Sequence, residues 1–167
     1  MNGSPLSLAE IETRAAARGL LLRIKLGGAL GITTLRVVVA RPPLLLGELK
    51  GWALPSRNGL QLDTMRVQGE RCHGVGLLIW AATFAWALEA SPCRQARLLA
   101  ICDDPEQHRR LLRYFTKLGF EPVRSLGAGL GDFPLRLVWG GAGLLMRGDC
   151  TEGLARCSRL LHLNQSR

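Results

Sequence analysis

The feature that most constrains the fold is an uncharged stretch of fifteen residues, Gly74 to Leu88. A helix predicted over Leu77 to Ala90 is apolar on nearly all sides, with Trp80 and Phe84 among its large side chains, and such a helix is normally buried. A span of fifteen residues is shorter than the ~20 needed to cross a bilayer. The stretch therefore predicts the central helix of a globular core and no membrane span.

Length and composition fit one domain built around that helix. The chain has 167 residues, 47% of them apolar, and a chain of this size buries roughly 70% of its unfolded surface. We expect a single domain over residues 1–167, with an N-terminal helix in 1–19, a core in 20–126 and a C-terminal strand and helix in 127–167. The N-terminus lacks a basic segment followed by an apolar one, so we expect a cytoplasmic protein.

Cysteine usage agrees with a reducing compartment. The count is odd and no two cysteines form a C-x-x-C pair, so both a disulfide framework and a zinc site are poorly supported. We expect free, mostly buried thiols and no metal. The five cysteines are Cys72, Cys93, Cys102, Cys150 and Cys157.

Periodicity and turn residues predict about seven strands and four helices. The strands are predicted at Leu20–Leu26, Thr34–Ala40, Leu44–Leu54, Leu60–Val67, Arg97–Cys102, Phe120–Leu126 and Leu135–Met146. The further helices are predicted at Leu8–Arg18, from a cap at Asp104 to Leu118, and at Thr151–Leu163. Short connections between the first four strands, such as the turn signal Gly27-Gly28, favour an antiparallel meander. A helix joins the fourth strand to the fifth, which implies one parallel pair. We therefore predict an α/β (α+β) fold with a mixed, mostly antiparallel sheet flanked by helices.

An arginine and two glycines separate the fourth strand from the central helix. The first N–H groups of a helix have no internal acceptor, and the helix dipole adds positive potential there. Gly74 and Gly76 carry no Cβ that would hold a ligand away, and Arg71 adds a charged donor. The segment predicts a binding site for a pyrophosphate. The alternative is a loop whose glycines only permit a sharp turn from strand to helix.

These elements and two motifs resemble the GNAT family of acyl-CoA-dependent N-acetyltransferases. The family hallmark Q/R-x-x-G-x-G/A is matched at Arg71, Gly74 and Gly76, after the fourth strand. A second marker is a helix that ends in an aromatic residue, then a few residues, then Leu-Gly-Phe, and its Leu-Gly-Phe is matched at residues 118–120. The resemblance covers about half the chain, Leu44 to Leu126. It implies a sheet that is splayed between the fourth and fifth strands, with the pantetheine arm of coenzyme A in the gap.

The resemblance also implies a co-substrate, acetyl-CoA, whose acyl group passes directly to an amine. Backbone groups of the fourth strand would bind pantetheine, and backbone N–H groups of the following loop would bind the pyrophosphate. By position, the binding residues are Met65, Val67, Arg71, Cys72, His73, Gly74, Val75 and Gly76.

The candidate base is Asp63, which lies where some family members keep a base. Simple alternation along the strand places Gln61, Asp63, Met65 and Val67 on one face. The alternative for Asp63 is a polar residue that bonds a neighbouring loop.

Two further catalytic candidates lie on the helix that ends at Leu118. The family's tyrosine, which protonates the departing thiolate, falls here on Phe115. Tyr114 is one place earlier, which rotates it by ~100° on a helix and leaves open that it faces solvent or another helix. His108 stands where the family often has Asn, and a surface or capping role is its alternative.

Where the family has two helices that help to form the amine pocket, only Gly27 to Thr33 separate the first two strands. The acceptor, a small molecule or a protein, and the acyl chain length therefore stay open, as does a homodimer. One alternative function is a catalytically degenerate GNAT-fold protein that binds coenzyme A or acyl-CoA as a regulatory or assembly module. The other is a basic nucleic-acid-binding module, motivated by the net charge of +9. Because no nucleic-acid-binding motif accompanies that charge, this alternative ranks last.

Overall fold

The computed structural model describes residues 4–67, 74–101, 104–126 and 143–164. Within these residues, the four helices are α1 (Leu8–Ala17), α2 (Val75–Ala90), α3 (Pro105–Lys117) and α4 (Cys150–Leu163). The seven strands are β1 (Leu21–Ala29), β2 (Ile32–Arg41), β3 (Leu44–Ala53), β4 (Leu60–Val67), β5 (Gln95–Ile101), β6 (Phe120–Leu126) and β7 (Gly143–Asp149). Of the last predicted strand, residues 135–142 lie outside the described residues.

Side-chain caps fix where three of the helices begin. The Ser7 hydroxyl accepts a hydrogen bond from the Glu10 N–H, and the Glu10 carboxylate accepts one from the Ser7 N–H at 2.7 Å. Asp104 accepts from the Glu106 N–H at 3.0 Å at the start of α3. Asp149 caps α4 in the same way. Each cap satisfies a backbone donor that the helix itself leaves free.

The strands form one sheet in the order β1-β2-β3-β4-β5-β7-β6. Every neighbouring pair is antiparallel except β4 and β5, which are parallel. The predicted mixed, mostly antiparallel sheet of seven strands flanked by helices is therefore confirmed.

The β1–β2 hairpin corrects one prediction from the sequence. Gly27 and Gly28 do not form the turn but pair with Thr34 and Thr33 inside the ladder. The turn is made by Leu30 and Gly31, whose φ angles are +55° and +82°. A two-residue hairpin turn of this kind requires positive φ at both positions. The strands are consequently longer than predicted, and their connection is too short to hold a helix.

The parallel pair is brief. Its register joins Leu60 to Ala96, Gln61 to Arg97 and Leu62 to Leu98, and no further pair follows in the described residues. β4 nevertheless continues to Val67 and β5 to Ile101. The predicted splay between the fourth and fifth strands is therefore present.

Helix α2 forms the centre of the core, as its sequence predicts. Trp80 and Phe84 are fully buried, with ring centroids 5.7 Å apart, and both pack against Phe120 of β6. The helix contacts α1, α4 and strands β2 to β4. Because this packing fixes α2 against the sheet, it also fixes the N-terminus of α2 beside the end of β4.

Candidate active site

The divergence of β4 and β5 opens a cleft of about 720 Å³. Side chains from β4, β5, α2 and α3 give it walls that are largely apolar. Five of these lining residues are Met65, Leu77, Leu99, Tyr114 and Phe115. A smaller cavity of about 50 Å³ adjoins its base, between the strands and Trp80. The cleft therefore begins deep in the sheet, where the β4–β5 ladder ends, and extends to the start of α2.

The N-terminus of α2 supplies backbone N–H donors at one end of the cleft. Gly74 is its N-cap residue, and it makes no capping bond through a side chain. The first bond of the helix runs from the Leu78 N–H to the Gly74 carbonyl at 3.0 Å, so the preceding N–H groups have no acceptor within the helix. The first turn contains no acidic residue. Gly74 has φ of +86°, a conformation that favours glycine.

Arg18 lies beside this helix N-terminus, which the sequence does not reveal. Its Nη1 atom is 3.0 Å from the position that a Cβ on Gly74 would occupy. The arginine follows α1, whose packing on α2 carries the guanidinium to that place. The sequence shows an excess of arginine but not which arginines reach the predicted phosphate site. The structure identifies Arg18 as one that does, some 56 positions before Gly74 along the chain.

Gly76 allows three elements to approach one another at the cleft. A Cβ on this residue would lie 3.1 Å from the Tyr114 hydroxyl oxygen and 3.4 Å from the Met65 Cε atom. The glycine therefore brings β4, α2 and α3 together around the cleft and leaves the space between them free.

Tyr114 faces the cleft, with its hydroxyl against Gly76. Burial raises the pKa of Tyr114 to about 12. The Trp80 side chain acts in the opposite direction and lowers the pKa of Tyr114. Within the described part of the chain, the Trp80 indole N–H makes no hydrogen bond of standard geometry. The phenol is therefore protonated throughout the neutral range and is a hydrogen-bond donor. Phe115 also lines the cleft and packs edge-on against Trp80, at a centroid distance of 6.1 Å.

Asp63 lies in the cleft because of a β-bulge. The β3–β4 register pairs Gly51 with Leu62 and Lys50 with Thr64, which leaves Asp63 without a partner. The bulge directs the exposed Asp63 carboxylate to the point where β4 leaves β5.

The same bulge corrects the predicted alternation along β4. Residues opposite each other in an antiparallel pair share a face, so Met65 shares a face with Leu62, and Gln61 lies on the other side of the sheet. The expected common face for Gln61, Asp63, Met65 and Val67 is therefore wrong. Simple alternation fails because the bulge inserts one extra residue.

The remaining predicted residues divide into three groups. Met65, Val67, Gly74 and Gly76 line the cleft, whereas the buried side chain of Val75 packs beneath it. Arg71, Cys72 and His73 lie outside the described residues. His108 is half-buried on the first turn of α3 and is not among the residues lining the cleft, so the structure does not bring it to Asp63 and Tyr114.

Besides Thr64 of β4, two polar residues at the cleft were not predicted as site residues. Asp104 and Gln107 both line it. The sequence identified Asp104 as a helix cap, and it does cap α3. Since β4 and β5 are parallel, the residues that follow these two strands lie at the same edge of the sheet. This topology could have predicted that Asp104 and Gln107, which follow β5, lie beside the end of β4.

Three of the cysteines are buried and free, namely Cys93, Cys150 and Cys157, as predicted. Burial raises the pKa of Cys150 and that of Cys157 to about 12, so neither is a thiolate near neutral pH. Cys72 and Cys102 lie outside the described residues. In the described ranges, no cluster of three or more His, Cys, Asp or Glu side chains is suited to hold a metal ion. Over the same ranges, every helix is too short or too polar to cross a membrane.

A scan of the chain against models of known protein families finds no match, and a search of curated proteins finds no significant relative. The resemblance to the GNAT family therefore rests on the residues and elements described above.

Proposed function

We propose that the chain is an acyl-CoA-dependent N-acyltransferase that transfers an acetyl group from acetyl-CoA to an amine. The observation that carries this proposal is the cleft itself. It starts where the three-pair ladder between β4 and β5 ends, and it leads to the backbone N–H donors at the N-terminus of α2, which have no acceptor within the helix. An elongated ligand with a diphosphate at one end and a thioester at the other matches that arrangement.

The diphosphate end would bind at the start of α2. Backbone N–H groups from Gly74 onward and the Arg18 guanidinium supply donors and positive charge there. Arg71, by its position in the sequence, would add a second guanidinium.

The pantetheine arm would lie along the free edge of β4. Beyond Leu62, the side of β4 that faces β5 has no strand partner in the described residues. Backbone N–H and C=O groups in a sheet interior need partners, and the two amides of pantetheine can supply them in place of a strand. Met65 and Leu99 would contact its apolar segments.

The thioester would lie between Asp63, at the deep end of the cleft, and the Tyr114 hydroxyl, which stands at Gly76. There the amine nitrogen forms a bond to the acyl carbon, the C–S bond breaks, and the amine proton passes to Asp63 directly or through water. A β4 backbone N–H would stabilise the charge that develops on the carbonyl oxygen. Because its pKa is about 12, Tyr114 would donate a hydrogen bond to the departing thiolate, and the proton that completes the thiol would come from solvent or from Asp63.

The adjoining cavity favours a short acyl group. It measures about 50 Å³, against about 720 Å³ for the cleft. An acetyl group suits that space better than a long chain does.

A catalytically degenerate binder of coenzyme A or acyl-CoA is the second candidate, and two observations favour it. Phe115 occupies the position where the family has its tyrosine. The β1–β2 connection is a two-residue turn, so no helices stand there to form an amine pocket. The cleft is the same for both candidates, and only the chemistry differs.

Two measurements test the proposal in sequence. Calorimetry should detect acetyl-CoA binding that Arg18→Ala weakens and that Arg159→Ala, at an exposed position on α4, leaves unchanged. Release of free thiol from acetyl-CoA across a panel of amines should then require Asp63 and Tyr114. Binding without thiol release would support the degenerate binder, and absence of binding at millimolar acetyl-CoA would remove both candidates.

A further inference from the structure

The side of β1–β4 that faces away from α2 carries cations at its centre. Opposed residues in antiparallel strands share a face, and the registers place Lys25, Arg36, Lys50 and Thr64 in one row across the four strands. The next row is Arg23, Val38, Glu48 and Arg66. We call this surface the basic face, and its five cations, all exposed, are Arg23, Lys25, Arg36, Lys50 and Arg66.

The basic face is strongly positive because one carboxylate serves five cations. Glu48 accepts two hydrogen bonds of 3.0 Å from Arg36 and forms an ion pair of 3.1 Å with Lys50. The bonds from Arg36 and Lys50 hold the pKa of Glu48 below its ordinary value, so it is charged at neutral pH. Among the described residues, no carboxylate pairs with Lys25 or Arg66. Within the described part of the chain, most of the positive charge on this face is therefore uncompensated.

Apolar side chains border the basic face at both ends. At one end, Leu21 and Leu45 lie in a row with Ala40, and each leucine is 38% exposed. At the other end, Ile32 is 41% exposed and Leu30, at the hairpin tip, is fully exposed.

Leu30 is the least expected of these apolar residues. It is the one non-glycine residue in the described ranges with positive φ, +55°, a conformation that is sterically unfavourable for a residue with a Cβ. It buries no side-chain surface in return. An apolar contact outside the protein would account for a leucine at this position.

The arrangement fits an anionic lipid surface better than the other occupants. A second copy of the chain would bring two positive faces together. A typical protein interface has an apolar centre and a polar rim, and the basic face has the reverse. A nucleic acid would bind the cations but would leave the apolar ends without partners. Anionic headgroups match the central cations, and the acyl boundary beneath them accepts exposed leucines. We propose that the basic face binds the surface of an anionic membrane as a peripheral contact.

The test is sedimentation with vesicles of phosphatidylcholine, with and without phosphatidylserine, at low and high salt. The face variant is Lys25→Gln/Lys50→Gln/Arg66→Gln, which preserves the Arg36–Glu48 pair. The control variant is Arg109→Gln/Arg113→Gln/Lys117→Gln, which removes the same charge from exposed positions on α3.

We expect the wild type to bind phosphatidylserine vesicles at low salt and to lose that binding at high salt. The face variant should bind on the order of 100-fold more weakly, since each basic residue near an anionic surface contributes roughly fivefold. The control variant should bind like the wild type. Leu30→Asn should also weaken binding while the thermal stability rises, because asparagine tolerates the left-handed conformation.

Three results would overturn the proposal. The first is that the wild type shows no salt-sensitive binding to phosphatidylserine vesicles. The second is that the face variant and the control variant lose the same share of that binding. The third is salt-sensitive binding to single-stranded RNA that the face variant loses, with no sedimentation on vesicles, which would assign the basic face to nucleic acid.

Discussion

Replacement of Gly76 by alanine should stabilise the protein while it weakens acyl-CoA binding. The new Cβ would lie 3.1 Å from the Tyr114 hydroxyl and 3.4 Å from the Met65 Cε atom. Both atoms are at the far ends of side chains that border an open cleft, so a shift of a few tenths of an ångström relieves the contact. Alanine in a helix is more stable than glycine by up to ~1 kcal/mol. For a chain of this size that gain raises Tm by roughly 2–4 °C.

The matched control for Gly76→Ala is Gly153→Ala, because Gly153 is also a glycine in the first turns of a helix. A Cβ there would lie 2.6 Å from Cε2 of the buried Phe84 ring, which cannot move into open space. We expect this variant to lose about 1–3 kcal/mol through overpacking. It should nevertheless bind acetyl-CoA like the wild type.

Thermal unfolding and calorimetry together decide this prediction. Gly76→Ala should unfold at the same or a higher temperature and bind acetyl-CoA about tenfold more weakly, a change of about 1.4 kcal/mol. A fall of several degrees in Tm would mean that the neighbours of Gly76 do not yield. Unchanged affinity would mean that the start of α2 is not part of the binding site.

Four further outcomes are expected. Arg18→Ala should weaken acetyl-CoA binding by about tenfold, less so at high salt, whereas Arg159→Ala should not; equal effects would refute the role of Arg18. Tyr114→Phe should lower kcat for thiol release with little change in KM, and an unchanged kcat would exclude the hydroxyl from the reaction. Asp63→Asn should lower kcat for thiol release on the order of 100-fold while the affinity for acetyl-CoA stays the same, and an unchanged kcat would exclude Asp63 as the base. Burial raises the pKa of Cys157 from 9.0 to about 12 in the folded state, so the unfolded chain loses this proton first. The free energy of unfolding should therefore fall as pH rises from about 9 to about 12, by at most ~1.4 kcal/mol per pH unit. Cys157→Ala should flatten that alkaline decline in the free energy of unfolding, and an identical pH slope would contradict the assignment.

Much of the fold follows from local signals in the sequence. Capping residues such as Ser7 and Asp104 determine where helices start, and the apolar surface of α2 identifies the core helix. The helix between β4 and β5 implies their parallel pairing. These features depend on neighbours along the chain, which is why they can be inferred without a structure.

Features that depend on the register of two strands were not accessible in this way. The bulge at Asp63 arises because β4 has one residue more than β3 between the pairs Lys50–Thr64 and Gly51–Leu62. No pattern of neighbouring residues in the sequence predicts that extra residue. The pairing of Gly27 with Thr34 inside the ladder has the same origin. The first correction changes which face of the sheet a side chain occupies, and the second lengthens β1 and β2.

The sequence predicts part of the candidate site, and the remaining residues reach it only through tertiary packing. Gly74 and Gly76 follow from their spacing, but Arg18 reaches the same place only through the packing of α1 on α2. The orientation of Tyr114 depends on the position of α3 relative to Gly76. The single domain over residues 1–167, the cytoplasmic location and the roles of Arg71, Cys72 and His73 stay predictions.

The central claim is that a diphosphate binds at the N-terminus of α2 while the thiol-bearing arm of the same molecule lies between β4 and β5. A crystal structure of the protein with coenzyme A tests it most directly. The account predicts density for the diphosphate on the N–H groups of Gly74 to Gly76, with the thiol near Asp63 and Tyr114. Coenzyme A bound at another surface, with the β4–β5 cleft empty at millimolar ligand, would contradict it.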